Sequence, residues 1–178
     1  MSIQVPLSWL RDFVSINIAP GLLADRLTTA GLEVETIEKV GDSWGDYCVV
    51  GQIKEIRKHP NADTLYLVDV EFGADIPITI VTGAPNIREM EGNIPNPTPK
   101  VALALAGAML FDSHHEDRPL KKLKTAKIRG IKSEGMLCSE LELGLSEEHE
   151  GILILPEEAP VGTLLNEYLS DVILHFDI

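Results

Sequence analysis

A chain of 178 residues, 44% of them apolar, has enough hydrophobic material for one or two packed domains. It contains no run of eighteen apolar residues and no charged-then-apolar opening, which predicts a soluble, untargeted, cytoplasmic protein with no membrane partner. The net charge of −13 at pH 7 excludes indiscriminate binding to a polyanion such as DNA, so any nucleic-acid contact has to come from a local basic patch.

Residues 1–40 predict a small α+β unit. Ser8 is placed to cap a helix carrying Trp9, Leu10, Phe13 and Val14 at helical spacing. A second helix starts near Pro20, turns Leu22, Leu23 and Leu27 inward and ends before Gly31. Leu32 to Val40 reads as a strand. From Cys48 onward, short strands alternate with turn signals, the pattern of an all-β module. Five are expected: Cys48 to Ile56 with a bend at Gly51, Leu65 to Phe72, Pro77 to Val81, Val101 to Ala106, and Lys127 to Ile131. Five short strands with glycine bends suit a small closed barrel of the OB type. Glu91 to Lys100, with three prolines, is a surface loop. After Gly151 the pattern changes to a short apolar run, a Pro156–Pro160 loop, a helix from Thr163 to Leu169, and a strand on which Val172, Leu174, Phe176 and Ile178 alternate. The fold class is therefore α+β, mainly β.

The sharpest boundary lies between Arg118 and Pro160. Arg118 to Lys132 holds seven basic residues and no acidic one, and Ser133 to Pro160 holds eight glutamates and no lysine or arginine. A basic run of this size is either a solvated hairpin or a phosphate-binding surface. The rest of the chain carries −20 (−13 less the +7 of this run), but charges more than a Debye length of about 8 Å away are largely screened at physiological salt, so a well-placed local patch can act despite that total. Lys124, Lys127, Arg129 and Lys132 surround the bend at Gly130 and are the candidate phosphate contacts. Read as one strand, Lys127 and Arg129 share a face.

Other clusters carry less. Asp112, His114, His115, Glu116 and Asp117 lack the i, i+4 histidine pair of a metal site and read as a solvated loop, and His175 reads as exposed. Cys48 and Cys138 fit no metal spacing and are expected to be reduced thiols. No P-loop, dinucleotide fingerprint or nucleophile–base arrangement is present, so no catalytic residue, metal site or cofactor is assigned to the chain.

The segment SEGMLCSELELG, with KHPNADTL at Lys58 to Leu65 and IVTGAPNIR at Ile80 to Arg88, resembles the OB-type tRNA-binding domain of the bacterial phenylalanyl-tRNA synthetase β-subunit family. The opening PLSWLRDFV and LTTAGLEVE are similar to the start of the same subunit, which isolated tRNA-binding OB modules lack. The resemblance implies an OB barrel over 41–150, inserted into a discontinuous α+β domain of residues 1–40 and 151–178. It also implies that Ser133 and Met136 of the S-x-G-M pattern face RNA, against the alternative of a turn hydroxyl and a core methionine. Asn61 becomes a further candidate at the barrel rim, although its turn chemistry favours a structural role. The family's whole enzyme is an α2β2 ligase that charges tRNA(Phe) using ATP and Mg²⁺, with the aminoacylation site on the α subunit and editing in a later β-subunit domain. By that resemblance this stretch contributes accessory tRNA binding and no catalysis. Two other readings stay open: a structural or protein-interaction module within the synthetase, and a free-standing tRNA-binding protein.

Overall fold

The last strand of the chain lies between the first two. In the computed structural model, which describes residues 2–115 and 117–177, the chain divides into two compact units. One runs to Asp42 and resumes at Leu169, and the other is Ser43–Tyr168.

The smaller unit is built from β1 (Ser2–Pro6), α1 (Leu7–Arg11), α2 (Pro20–Thr29), β2 (Val34–Val40) and, at the far end of the sequence, the final strand Asp171–Asp177. The final strand pairs antiparallel with both β1 and β2, so each of those two depends on it for its ladder. Ser8 is not the helix cap: Pro6 occupies the N-cap position and caps through no side chain. The Asp171 carboxylate does the work instead, accepting from Ser8 N at 3.1 Å, from the Ser8 hydroxyl, and from Val172 N at 2.7 Å. A carboxylate there also complements the positive end of the helix. In α2 it is Ala24 that is buried, while Leu22 is exposed, because a helix of 10 residues turns only a narrow stripe toward a three-stranded sheet. His175 is not free on the surface; its Nε2 sits 2.9 Å from Glu38 Oε2 across the strand pair. Ile178 lies outside the described residues.

The larger unit is the barrel. Its strands are β3 (Cys48–Lys58), β4 (Tyr66–Glu71), β5 (Ile78–Thr82) and β6 (Lys100–Leu105), followed by the hairpin β7 (Met109–Phe111) and β8 (Leu120–Lys122). A second hairpin, β9 (Ala126–Ile128) and β10 (Ile131–Ser133), leads into β11 (Gly135–Leu137). The main sheet has the order β11-β6-β3-β4-β5, with β12 (Ile154–Leu155) added on β6. Register fixes the two faces. Val49, Leu103 and Leu137 lie side by side on the inner face, whereas Cys48, Ala104 and Met136 lie side by side on the outer one. The inner row joins Ile53, Val68, Val70, Ile80 and Val101 in the core, and Ile87 of α3 (Pro85–Met90) packs with them. Outside, Trp44, Ala108, Leu141 and Leu143 are also buried, and Trp44 Nε1 donates to Leu143 O at 3.1 Å. A strand covered on both faces reads as a continuous apolar run, which is why Cys48–Val50 and Val101–Leu105 show little alternation.

Two expectations change. The fifth barrel strand is β11, not Lys127 to Ile131. That stretch turns back on itself at Arg129 and Gly130, both at positive φ (49° and 95°), the signature of a two-residue type I′ hairpin. The barrel unit also extends to Tyr168 rather than ending at 150. Ile152 is buried in the core, Leu155 pairs with Lys100, and Asn86 bonds Ile152 in both directions (2.8 and 3.1 Å). Farther on, Val50 exchanges hydrogen bonds with Thr163 O (2.9 Å) and Gly162 N (2.8 Å), so residues 151–168 complete the edge of β3 and β6.

Among the described residues no ladder joins β5 to β11, so the sheet stays open there, and two hydrogen bonds span the gap. Glu134 N donates to Thr79 O at 3.2 Å, and Val81 N donates to the Ser133 hydroxyl at 3.0 Å.

Candidate nucleic-acid interface

OB-type barrels bind nucleic acid through the strand 2–3 face and the loops joining strands 1–2 and 4–5. Here the first of those loops is His59–Leu65, between β3 and β4, and the second is the long connection from β6 to β11. The whole basic run lies in that second connection. The two loops meet. His59, only 4% exposed, brings Nε2 to 3.1 Å from Ile128 O, and Asn61 Nδ2 donates to Arg129 O at 3.2 Å. Asn61 N donates to His59 Nδ1 at 3.0 Å, which makes Nδ1 the acceptor and Nε2–H the donor to Ile128. Asn61 thus holds the hairpin turn by its side chain.

The hairpin has a barrel side and a solvent side. Ile128, Ile131 and Ser133 are half-buried or buried, while Lys127 and Lys132 are directly opposite each other and exposed. Lys127 shares its face with Lys132, not with Arg129, which sits in the turn. Like charges placed opposite destabilise a strand pair. Lys132 is relieved by Glu134 Oε1 at 3.1 Å, whereas Lys127 has no ion pair. Of the remaining run, Lys121 pairs with Asp112 and Arg118 with Glu147. Among the described residues, Lys122, Lys124, Lys127 and Arg129 form no ion pair. Glu116 lies outside the described residues.

Beside the hairpin, two adjoining grooves of about 410 and 340 Å3 share Ser113, His114, Met136 and Glu142. Lys121, Lys122 and Lys124 line the second, and Ile128, Glu150 and His149 line the first. Met136, half-buried on the outer face of β11, lies where the grooves join, so it is neither a core residue nor fully free. Glu142 is committed to the N-terminus of α4 (Glu140–Leu143): it accepts from Ser139 N at 2.8 Å while Ser139 Oγ accepts from Glu142 N at 3.4 Å, a capping box. Gly135 is required by close approach. A Cβ there would meet Ala104 O at 2.4 Å, and backbone cannot yield.

Ser133 leaves the interface. It is 4% exposed, and its hydroxyl accepts from Val81 N and donates to Gly135 O, both at 3.0 Å. Asp112, in the acid- and histidine-rich loop, anchors Lys121. Its carboxyl is held below the usual range, first by the Lys121 hydrogen bond, then by the His114 amide (3.0 Å) and by the charges of Lys121 and His115, which outweigh its partial desolvation. Among the described residues no three His, Cys, Asp or Glu side chains converge as metal ligands. Cys48 and Cys138 are buried thiols, the first pushed up to about 12 and the second well above its ordinary value by burial. No helix is long and apolar enough to cross a membrane among the described residues.

Lys122 was not among the candidates drawn from sequence, because only the β7–β8 pairing, Met109 opposite Lys122, brings it to the groove.

Residues 48–164 match the family described as "Putative tRNA binding domain". The chain is 46% identical over 98% of its length to a phenylalanine–tRNA ligase β subunit of Dehalococcoides mccartyi, and 44% identical over 96% to that of Synechococcus elongatus; it spans about a fifth (20%) of each. A solved MetRS-related protein from Pyrococcus horikoshii is 26% identical, with a TM-score of 0.44, covering 66% of this chain and 86% of that one. By the match over 48–164, the chain belongs to the tRNA-binding domain family, and its full length is similar to part of the phenylalanine–tRNA ligase β subunit.

Proposed function

We propose that this chain serves as the accessory tRNA-binding part of a cytoplasmic phenylalanine–tRNA ligase β subunit. It acts beside an α subunit in a heterotetramer whose ATP- and Mg²⁺-dependent chemistry lies in other parts of the enzyme. The observation that carries this reading is the meeting of the two OB loops through His59 and Asn61, with Lys122, Lys124, Lys127 and Arg129 left unpaired around it. Among the described residues these four cations have no carboxylate partner, and phosphates are the chemical partner that suits them. Met136 adds an apolar contact between them. The contact is with backbone and unpaired regions rather than with base-paired sequence, since A-form RNA hides its major groove from side chains.

The competing reading, a structural or protein-interaction module, draws on the three neutralised cations Lys121, Arg118 and Lys132 and on the net charge of −13. Titration of a tRNA(Phe) transcript across a salt series separates the two. Weak binding that falls steeply with salt supports the RNA reading. No binding at low salt supports the structural one.

A further inference from the structure

Tyr47 is the feature that the loops and grooves above do not use. It ends the 3-10 segment Asp42–Tyr47 just before β3 and is 48% exposed, although Trp44 in the same segment and Cys48 next to it are buried. Its ring is not a loose surface aromatic. A Cβ built on Gly107 would stand 2.6, 2.8 and 3.0 Å from Tyr47 Cε1, Cδ1 and Cζ, three consecutive ring carbons. Approach along the ring edge would leave the two flanking carbons about an ångström farther than the central one; near-equal distances mean that the glycine lies under a ring face. Gly107 has φ +111°, so both its backbone and the ring exclude a side chain there. Gly45 borders the opposite edge, its Cβ position 3.7 Å from Cδ2. One face of the ring is therefore seated on glycine while the residue as a whole stays half exposed, and among the described residues the hydroxyl has no hydrogen-bond partner.

Two of the unpaired cations lie close to its seat along the backbone. Gly107 N donates to Leu123 O at 2.9 Å and Leu123 N to Ala108 O at 2.8 Å, which sets Lys122 and Lys124 on either side of the residue bonded to the glycine beneath the ring. An exposed aromatic ring with cations nearby is an arrangement that suits single-stranded nucleic acid, because every base has a π-face and every nucleotide a phosphate. Seating the ring beforehand lowers the ordering cost of binding. The exposed carboxylate of Asp46, next in the chain, disfavours a phosphate on the platform itself and leaves the base there.

We propose that Tyr47 is a stacking platform for one unpaired nucleobase of single-stranded RNA, with Lys122 and Lys124 taking the adjoining phosphates. This rests on the RNA-binding reading above and adds a contact outside the two OB loops.

The test uses the 178-residue chain and two probes: a tRNA(Phe) transcript, and a single-stranded oligoadenylate of about a dozen nucleotides with one 2-aminopurine. Tyr47→Leu is expected to weaken oligoadenylate binding roughly 5- to 150-fold, to leave the salt slope unchanged, and to abolish quenching of the 2-aminopurine. Tyr47→Phe retains all three, and the melting curves of both variants match the parent. If Tyr47→Leu binds and quenches like the parent while Lys124→Gln still weakens binding, the platform is wrong and the RNA reading stands. Equal losses in Phe and Leu variants would also overturn it, since the hydroxyl and not the ring face would then be in use. If the parent chain binds neither probe at low salt, the RNA reading falls and the platform falls with it.

Discussion

The hydroxyl of Ser133 stands 3.0 Å from the amide of Val81 and accepts its hydrogen, joining the two ends of a barrel that no strand ladder closes. The same hydroxyl donates to Gly135 O, so one side chain ties β5, β10 and β11 together at the point where the chain passes from the basic hairpin to Met136.

Ser133→Ala should therefore act on stability and not on RNA. It leaves the Val81 amide buried without a partner, at a cost of about 1–3 kcal/mol. Urea unfolding should show a lower midpoint at unchanged m-value, and tRNA affinity measured well below the transition should match the parent. A large affinity loss in a variant that melts like the parent would return Ser133 to the interface.

The barrel was legible wherever local pattern decides structure. The strands at Cys48, Leu65, Pro77 and Val101 are marked by apolar runs between turn residues. What was hidden depends on contacts distant in sequence. Lys127 to Ile131 has strand-like composition, and only the positive φ at Arg129 makes it a hairpin. Ile152 and Leu155 look like part of a different domain until β6 is beside them. Ser133 resembles any turn serine until Val81 arrives from 52 residues earlier. Tyr47 gives no signal at all, because its seat is formed by a glycine beyond β6. Those four barrel strands could be read; the faces of the hairpin and the partners of each lysine could not.

Asp112 gives a pH-dependent prediction. Its folded carboxyl is depressed, mainly by the hydrogen bond from Lys121, so its stabilising contribution is present above the ordinary value near 3.9 and is lost as pH falls through the lower folded value. An NMR titration of the Asp112 carboxyl carbon should show a midpoint below the ordinary range. Asp112→Asn should free Lys121 as a third unpaired cation in the groove, beside Lys122 and Lys124, and steepen the dependence of log K on log salt by up to about 0.7–0.9 for tRNA. An ordinary carboxylate midpoint would mean that the Lys121 pair does not persist in solution.

The Lys127–Lys132 pair separates binding from folding. Two ammonium groups opposite each other on a two-residue hairpin oppose its formation, and Lys127 has no carboxylate to relieve it. Lys127→Gln should accordingly raise the stability of the barrel unit by a few tenths of a kcal/mol, within the range of about 0.2–1 kcal/mol for cross-strand pairs. The same change removes a phosphate contact, so tRNA binding should weaken and its salt slope should fall in magnitude by about 0.7–0.9. Lys132→Gln behaves differently: it relieves the repulsion but strands Glu134, leaving stability nearly unchanged and the slope less affected, because its charge is already balanced at 3.1 Å. Opposite signs for stability and affinity at Lys127 are the mark of a charge retained for a ligand. If Lys127→Gln instead destabilises the unit and leaves the salt slope as it was, the outer face of the hairpin holds structure and not RNA.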